Sequence, residues 1–201
     1  MNSVSLLLQR ANSCLESYPT ALQGASAAVG LFIALQIWDR EKLQIAEFFS
    51  KQVLPLKSSN PEMYKRISWI VPVGGIALNT LAAYTAHKAV SSLPVKLLVT
   101  MVYLGVLAQF AYGRLGQSDD KTISLTKLFT EWSGADKEKI SQGQNLFILI
   151  TTLFISLVCG HVLRSRLGWQ TIPTLTAMMI TGVAVETLCM KSIQSWNRRP
   201  A

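Results

Sequence analysis

Between Lys139 and Arg164 the chain carries no acidic or basic residue apart from one histidine, and from Leu146 to Leu163 apolar side chains cover every face of a helix. A helix buried in a water-soluble protein keeps a polar stripe, whereas one that is apolar all round over this length belongs in a bilayer. Lipid offers the backbone no hydrogen bonds, so each N–H and C=O must pair within its own segment. The stretch is therefore predicted to be a transmembrane helix at 144–163. The same pattern marks companions at 17–38, 67–87, 97–113 and 170–190. Trp38 and Trp169 fall at span boundaries, where an indole favours the headgroup level. Pro173 suits the first turn of the last span, while Pro72 and Gly74-Gly75 predict a kink in the second. The third run is near the lower length limit for a crossing, and Lys96 extends it by snorkelling; a re-entrant hairpin of the second and third runs is the alternative.

The polar segments between these runs keep a helical rhythm. Ile45, Phe48, Phe49, Gln52 and Val53 recur at the 3.6-residue period within 39–54, with Leu56 in register just beyond Pro55, which ends the segment. Lys57 to Pro61 reads as a turn or loop. Leu125, Leu128, Phe129 and Trp132 form a second surface helix, and Val4, Leu7, Leu8, Ala11 and Leu15 a third, within 1–17. The fold class is thus all-α: one membrane-embedded domain over 1–201, a polytopic bundle of five transmembrane helices with two or three amphipathic surface helices.

Composition agrees with a membrane class. Half the residues are apolar and 15% are charged, against roughly 25% in soluble domains. The net charge of +8 raises nucleic acid as a partner, but the basic residues lie in the gaps between apolar runs and no stacking aromatics alternate with them. The partner they predict is the lipid bilayer, with no nucleic acid. Five spans put both long polar segments and the C-terminus on one side, with fourteen Lys and Arg there and five on the other. Basic residues are retained on the cytoplasmic or matrix side, which predicts an outside N-terminus and an inside C-terminus. No basic stretch precedes the Val4–Leu8 patch, so the first span is expected to direct insertion.

Cys14, Cys159 and Cys189 are odd in number and lack CxxC spacing, which supports neither a disulfide framework nor a zinc or redox motif. Neither a metal site nor a cofactor is evident. No GxSxG, HExxH, paired-aspartate prenyl-diphosphate motif or Walker loop occurs, so the protease, prenyl-transfer and ATPase chemistries that use them lose their support.

Five residues carry the candidate chemistry. Glu186 is the only acidic residue inside a predicted span and lies about one turn from its inner end. Such a carboxylate is a candidate proton relay, cation ligand or general base, or else it snorkels towards Lys191. His87 and His161 fall at the outer ends of two spans at equal depth, as an axial haem pair or two metal ligands would; interfacial hydrogen bonding is the other reading. Asn79 and Gln109 lie near mid-membrane and must find partners inside the bundle, either as glue between helices or as contacts to a substrate or partner. Small-residue stripes (Ala21/Ala25 and Gly24/Ala28; Gly75/Asn79/Ala83/Ala86; Thr174/Ala177/Thr181/Ala184) permit close helix approach within the chain, in a homo-oligomer or against another membrane protein.

Gln52-Val-Leu-Pro55 before the second span, Phe129-Thr-Glu-Trp132 before the fourth and the long polar segments after the first and third give a layout that resembles small anthrone-oxygenase-like membrane proteins. The resemblance implies an enzyme acting on a lipophilic substrate. The fifth span departs from that family's four, and no catalytic residue carries over. Three functions stand at this level: a non-catalytic subunit, assembly factor or scaffold of a membrane complex; a small enzyme using Glu186, the histidines, Asn79 or Gln109; and a small transporter or channel subunit.

Overall fold

A computed structural model describes residues 19–39, 45–113, 121–136 and 139–197. The predicted surface helix within 1–17, with Cys14, lies outside the described residues, as do residues 40–44 and 114–120. Within the described residues the chain is helical: α1 Pro19–Asp39, α2 Ile45–Val53, α3 Leu56–Ser59, α4 Pro61–Ile67, α5 Ile70–Ala89, α6 Leu93–Tyr112, α7 Leu125–Ser133, α8 Gln142–Ser165 and α9 Thr171–Asn197. The stretch Pro61–Ala89 (α4 and α5 together), α6, α8 and α9 are long and apolar enough to cross a membrane, and a shorter apolar stretch, Gln23–Ile37, lies within α1. The protein is therefore a multi-pass, all-α membrane protein.

Several boundaries differ from the sequence reading for identifiable reasons. The third span starts at Leu93 rather than 97, since Pro94 occupies the first turn, where a missing N–H costs nothing; α6 thereby gains full spanning length. The interruption expected near Pro72 falls upstream, at Ser68 and Trp69. Proline at 72 removes the N–H that would bond Ser68 O and crowds that carbonyl, so the hydrogen-bond ladder is interrupted there while Ser68 and Trp69 keep helical dihedrals. The loop expected at 57–61 is mostly helical. Asn60 caps α4 by accepting a bond from the Met63 N–H, and Pro61 begins it. The last helix runs six residues past Lys191, to Asn197.

The helices form a layered bundle. α6 is central: α1 lies along it in parallel, α5 antiparallel, and α9 touches both α5 and α6. α8 packs chiefly against α9 and turns Phe147, Ile150, Phe154 and Leu157 outward, as a lipid-facing helix does. The surface helices gather at one end of the bundle. The Ile123 N–H donates to Ser50 Oγ (2.8 Å), Lys57 pairs with Glu131 (3.5 Å), and the Asp136 N–H donates to Gln194 Oε1 (3.1 Å). Both polar segments and the last turns of α9 therefore share one end.

α2 keeps its bulky apolar side chains outward, as a helix lying on a membrane or a partner does. Its buried residues are Ala46, Ser50 and Val53, while Ile45, Phe48 and Phe49 are exposed. A face of smaller side chains fits closely against the 121–124 segment, where the Ser50 hydroxyl accepts from the Ile123 N–H. The bulky apolar face is left for the bilayer boundary.

Candidate functional site: a groove beside a hydroxyl cluster

A groove of about 890 Å³ lies between α5 and α9, within the range of small-molecule pockets. Trp69, just before α5, and Val73, Ile76, Ala77, Thr80, Leu81 and Tyr84 of α5 are spaced one, three or four residues apart, which places them on one side of the helix. Pro173, Thr176 and Ile180 of α9 oppose them. Phe129 of α7 closes one end, edge-to-face with Trp69 at 5.5 Å between ring centroids. The α8–α9 turn closes the other. Gly168 adopts φ +64, a left-handed conformation that ends α8, and the Trp169 N–H returns to Leu163 O (3.1 Å). This places Trp169 and Gln170 at the mouth.

Towards the Tyr84 end of the groove three helices meet through hydroxyl groups. The Thr80 hydroxyl donates to Ile76 O (2.7 Å) and lies 3.3 Å from the Tyr103 hydroxyl and 3.2 Å from that of Thr176. Thr176 donates to Ile172 O (3.0 Å) and sits 2.5 Å from the Tyr103 hydroxyl. Tyr103 is 2% exposed, so its ring locks α6 behind the groove while its hydroxyl reaches α5 and α9.

The residues singled out from sequence lie elsewhere. Gln109 is buried on α6; its amide nitrogen donates to Ile37 O, and its Oε1 accepts from the N–H groups of Ile45 (3.1 Å) and Ala46 (3.4 Å). It thus serves the open carbonyl end of α1 and the open amide end of α2 together. Asn79 donates to Tyr103 O (3.2 Å) across the α5–α6 contact. Glu186 is half-buried on α9, within electrostatic reach of Tyr112, one turn beyond Gly182. Beside Gly182, Thr152 and Ser156 of α8 hold buried hydroxyls without a hydrogen-bond partner among the described residues.

His161 borders a separate cavity of about 330 Å³ between α8 and α9, with Arg164 and Thr171; His87, near the end of α5, does not line it. No group of three His, Cys, Asp or Glu side chains suited to a metal ion occurs among the described residues. Cys159 and Cys189 are free thiols.

Sequence reasoning missed the groove and Gln194. A threonine hydroxyl can bond its own preceding turn anywhere in a helix, so Thr80 and Thr176 carried no distinguishing signal. Gln194 exchanges two bonds with the Asp136 backbone from a turn beyond the predicted end of the last span. Comparison with protein-family models, curated proteins and solved structures finds no match to this chain. The layout resemblance to anthrone-oxygenase-like proteins thus gains no support.

Proposed function

We propose that the chain is a non-catalytic subunit, assembly factor or scaffold of a membrane complex. The observation that carries this reading is where its intramembrane amides go. Gln109 and Asn79 bond the main chain of another element, as Gln194 does at the bundle's end. Polar groups in such places tie helices together. Glu186, His87 and His161 lie on three different helices, and none of them lines the large groove.

The proposal includes five crossings with the N-terminus outside. Support comes from α1, which runs parallel to α6 with Gly30 against Met101, Ala34 against Gly105 and Ile37 bonded to Gln109. It also comes from the gathering of the described parts of both polar segments and the end of α9 at one end of the bundle, where most of the described basic residues lie. Cysteines introduced at Ser58, Glu131 and Asn197 are expected to label from one membrane face and one at Ser92 from the other; labelling of 58 and 131 from opposite faces overturns the topology.

The function is tested by isolating the tagged protein in mild detergent, resolving it on a native gel and identifying co-migrating chains by mass spectrometry. The expected result is a large assembly with fixed partners that is lost with Gln109→Leu and kept with Glu186→Gln, His87→Ala and His161→Ala. Migration alone, together with a discrete chemical phenotype of Glu186→Gln or His161→Ala, supports the enzyme instead.

A further inference from the structure

We infer that the cavity between the end of α8 and the start of α9 binds an anionic glycerophospholipid, with Arg164 on its phosphate. The site goes beyond the scaffold reading and does not depend on it.

The cavity, of about 330 Å³, is graded in polarity along both of its walls. Arg164 and Ser165 of α8 and Thr171 of α9 line it nearest the turn. Leu157 lies seven residues before Arg164 and Met178 seven after Thr171, so both line it roughly 10 Å deeper at 1.5 Å per residue. α8 has 24 residues, about 36 Å at that rise, against a hydrocarbon layer of roughly 30 Å. Its last turn, which holds Arg164, therefore stands at headgroup level. Polar groups at the depth of lipid phosphates, above apolar ones at the depth of acyl chains, match one amphipathic molecule. A free anion would leave the deeper half unused.

Charge selects the headgroup. Arg164 and His161, one turn apart on α8, are exposed, and neither side chain has a hydrogen-bond or ion-pair partner among the described residues. The α5–α6 and α8–α9 turns lie at the same end of the bundle, where Tyr84 and Trp169 border one groove. No Asp or Glu occurs in 63–113 or 139–185, the stretches that form these two hairpins, while Lys88, Lys96, Arg164 and Arg166 gather at their turns. The counter-ion must come from outside the hairpins. A guanidinium fork fits two oxygens of a phosphate. A zwitterionic lipid would bring an ammonium as well, into hairpin turns whose charges are all basic and offer it no carboxylate. An anionic lipid brings only the missing sign.

The test uses purified full-length protein in nanodiscs of dioleoylphosphatidylcholine with a small fraction of a photoactivatable lipid. One probe is a phosphatidylglycerol and the other a phosphatidylcholine, each with the same diazirine high on one acyl chain. After photolysis, digestion and mass spectrometry, the phosphatidylglycerol is expected to label peptides of 157–178 at least about five-fold more, the scale of one basic residue beside an anionic headgroup. R164Q should erase that preference. R166Q removes the same charge at the same end, outside the cavity, and should keep it. L157W fills the apolar half from the lipid-exposed side of α8 and should lower labelling of 157–178 by both probes, even if R164Q fails to fold. Equal labelling by the two probes overturns the proposal. An equal loss in R164Q and R166Q marks a diffuse basic surface and overturns it too, as does labelling unchanged by L157W. Loss of the preference on adding inorganic phosphate at constant ionic strength marks a site for the free anion and overturns the lipid.

Discussion

The α1–α6 and α5–α9 seams are built from similar apolar helices, yet one is shut and the other open. At the first, a Cβ added to Gly105 would lie 2.9 Å from the Ala34 Cα and carbonyl oxygen, and one on Gly30 would lie 2.8 Å from the Met101 Cβ. Backbones at this distance leave no space between them, and dispersion contacts hold the pair. At the second seam, Trp69, Ile76, Leu81 and Tyr84 face Pro173, Thr176 and Ile180; large side chains and a proline keep the helices apart except where the hydroxyls meet. Small residues close a seam in lipid, while bulky ones with a single polar bridge hold a groove open.

The largest effect should therefore come from disturbing the shut seam. Gly105→Leu forces side-chain atoms into the backbone of Ala34 and is expected to cost about 3 kcal/mol, read as a lowered Tm in detergent by loss of the monodisperse elution peak. Tolerance of leucine there would mean that α1 is not seated against α6. Gln109→Leu comes next. It leaves Ile37 O and the Ile45 and Ala46 N–H groups without their amide partner, at about 2 kcal/mol, and should speed hydrogen exchange at the end of α1 and the start of α2 while α8 stays unchanged. Thr176→Val touches the open seam's one bridge. It keeps the shape and removes a hydroxyl, for about 1 kcal/mol and faster exchange in α9.

The two seams also differ in how far the sequence disclosed them. Charge-free runs marked the long apolar helices, because lipid tolerates few charges and the gaps between spans collect them. Gln109 and Asn79 stood out as polar groups in hydrocarbon, and both have partners in the main chain. Which small residues close a seam was hidden: Gly24, Ala25 and Ala28 make the more conspicuous stripe, yet they are exposed, and α6 meets Gly30 and Ala34. The groove was hidden for the same reason. Its lining has the composition of any lipid-facing surface, and only the divergence of two helices far apart in sequence makes it concave. For α2 the period located the apolar residues without saying whether protein or lipid covers them: Val53 is buried, while Phe48 and Phe49 are exposed.

Ala77→Leu gives the smallest effect and the sharpest control on the comparison. Ala77 lies on α5, exposed and lining the groove, midway between Val73 and Leu81. Leucine is a good helix former and adds apolar volume, as at Gly105, but here it enters open space rather than backbone. Stability should move by no more than about 0.5 kcal/mol, with Tm and elution profile unchanged. A loss approaching that of Gly105→Leu would show that the α5–α9 seam closes in the membrane and that the groove does not persist there. An unchanged Tm beside a collapsed Gly105→Leu would show that one seam is filled by the chain's own atoms and that the other keeps room for a molecule from outside it.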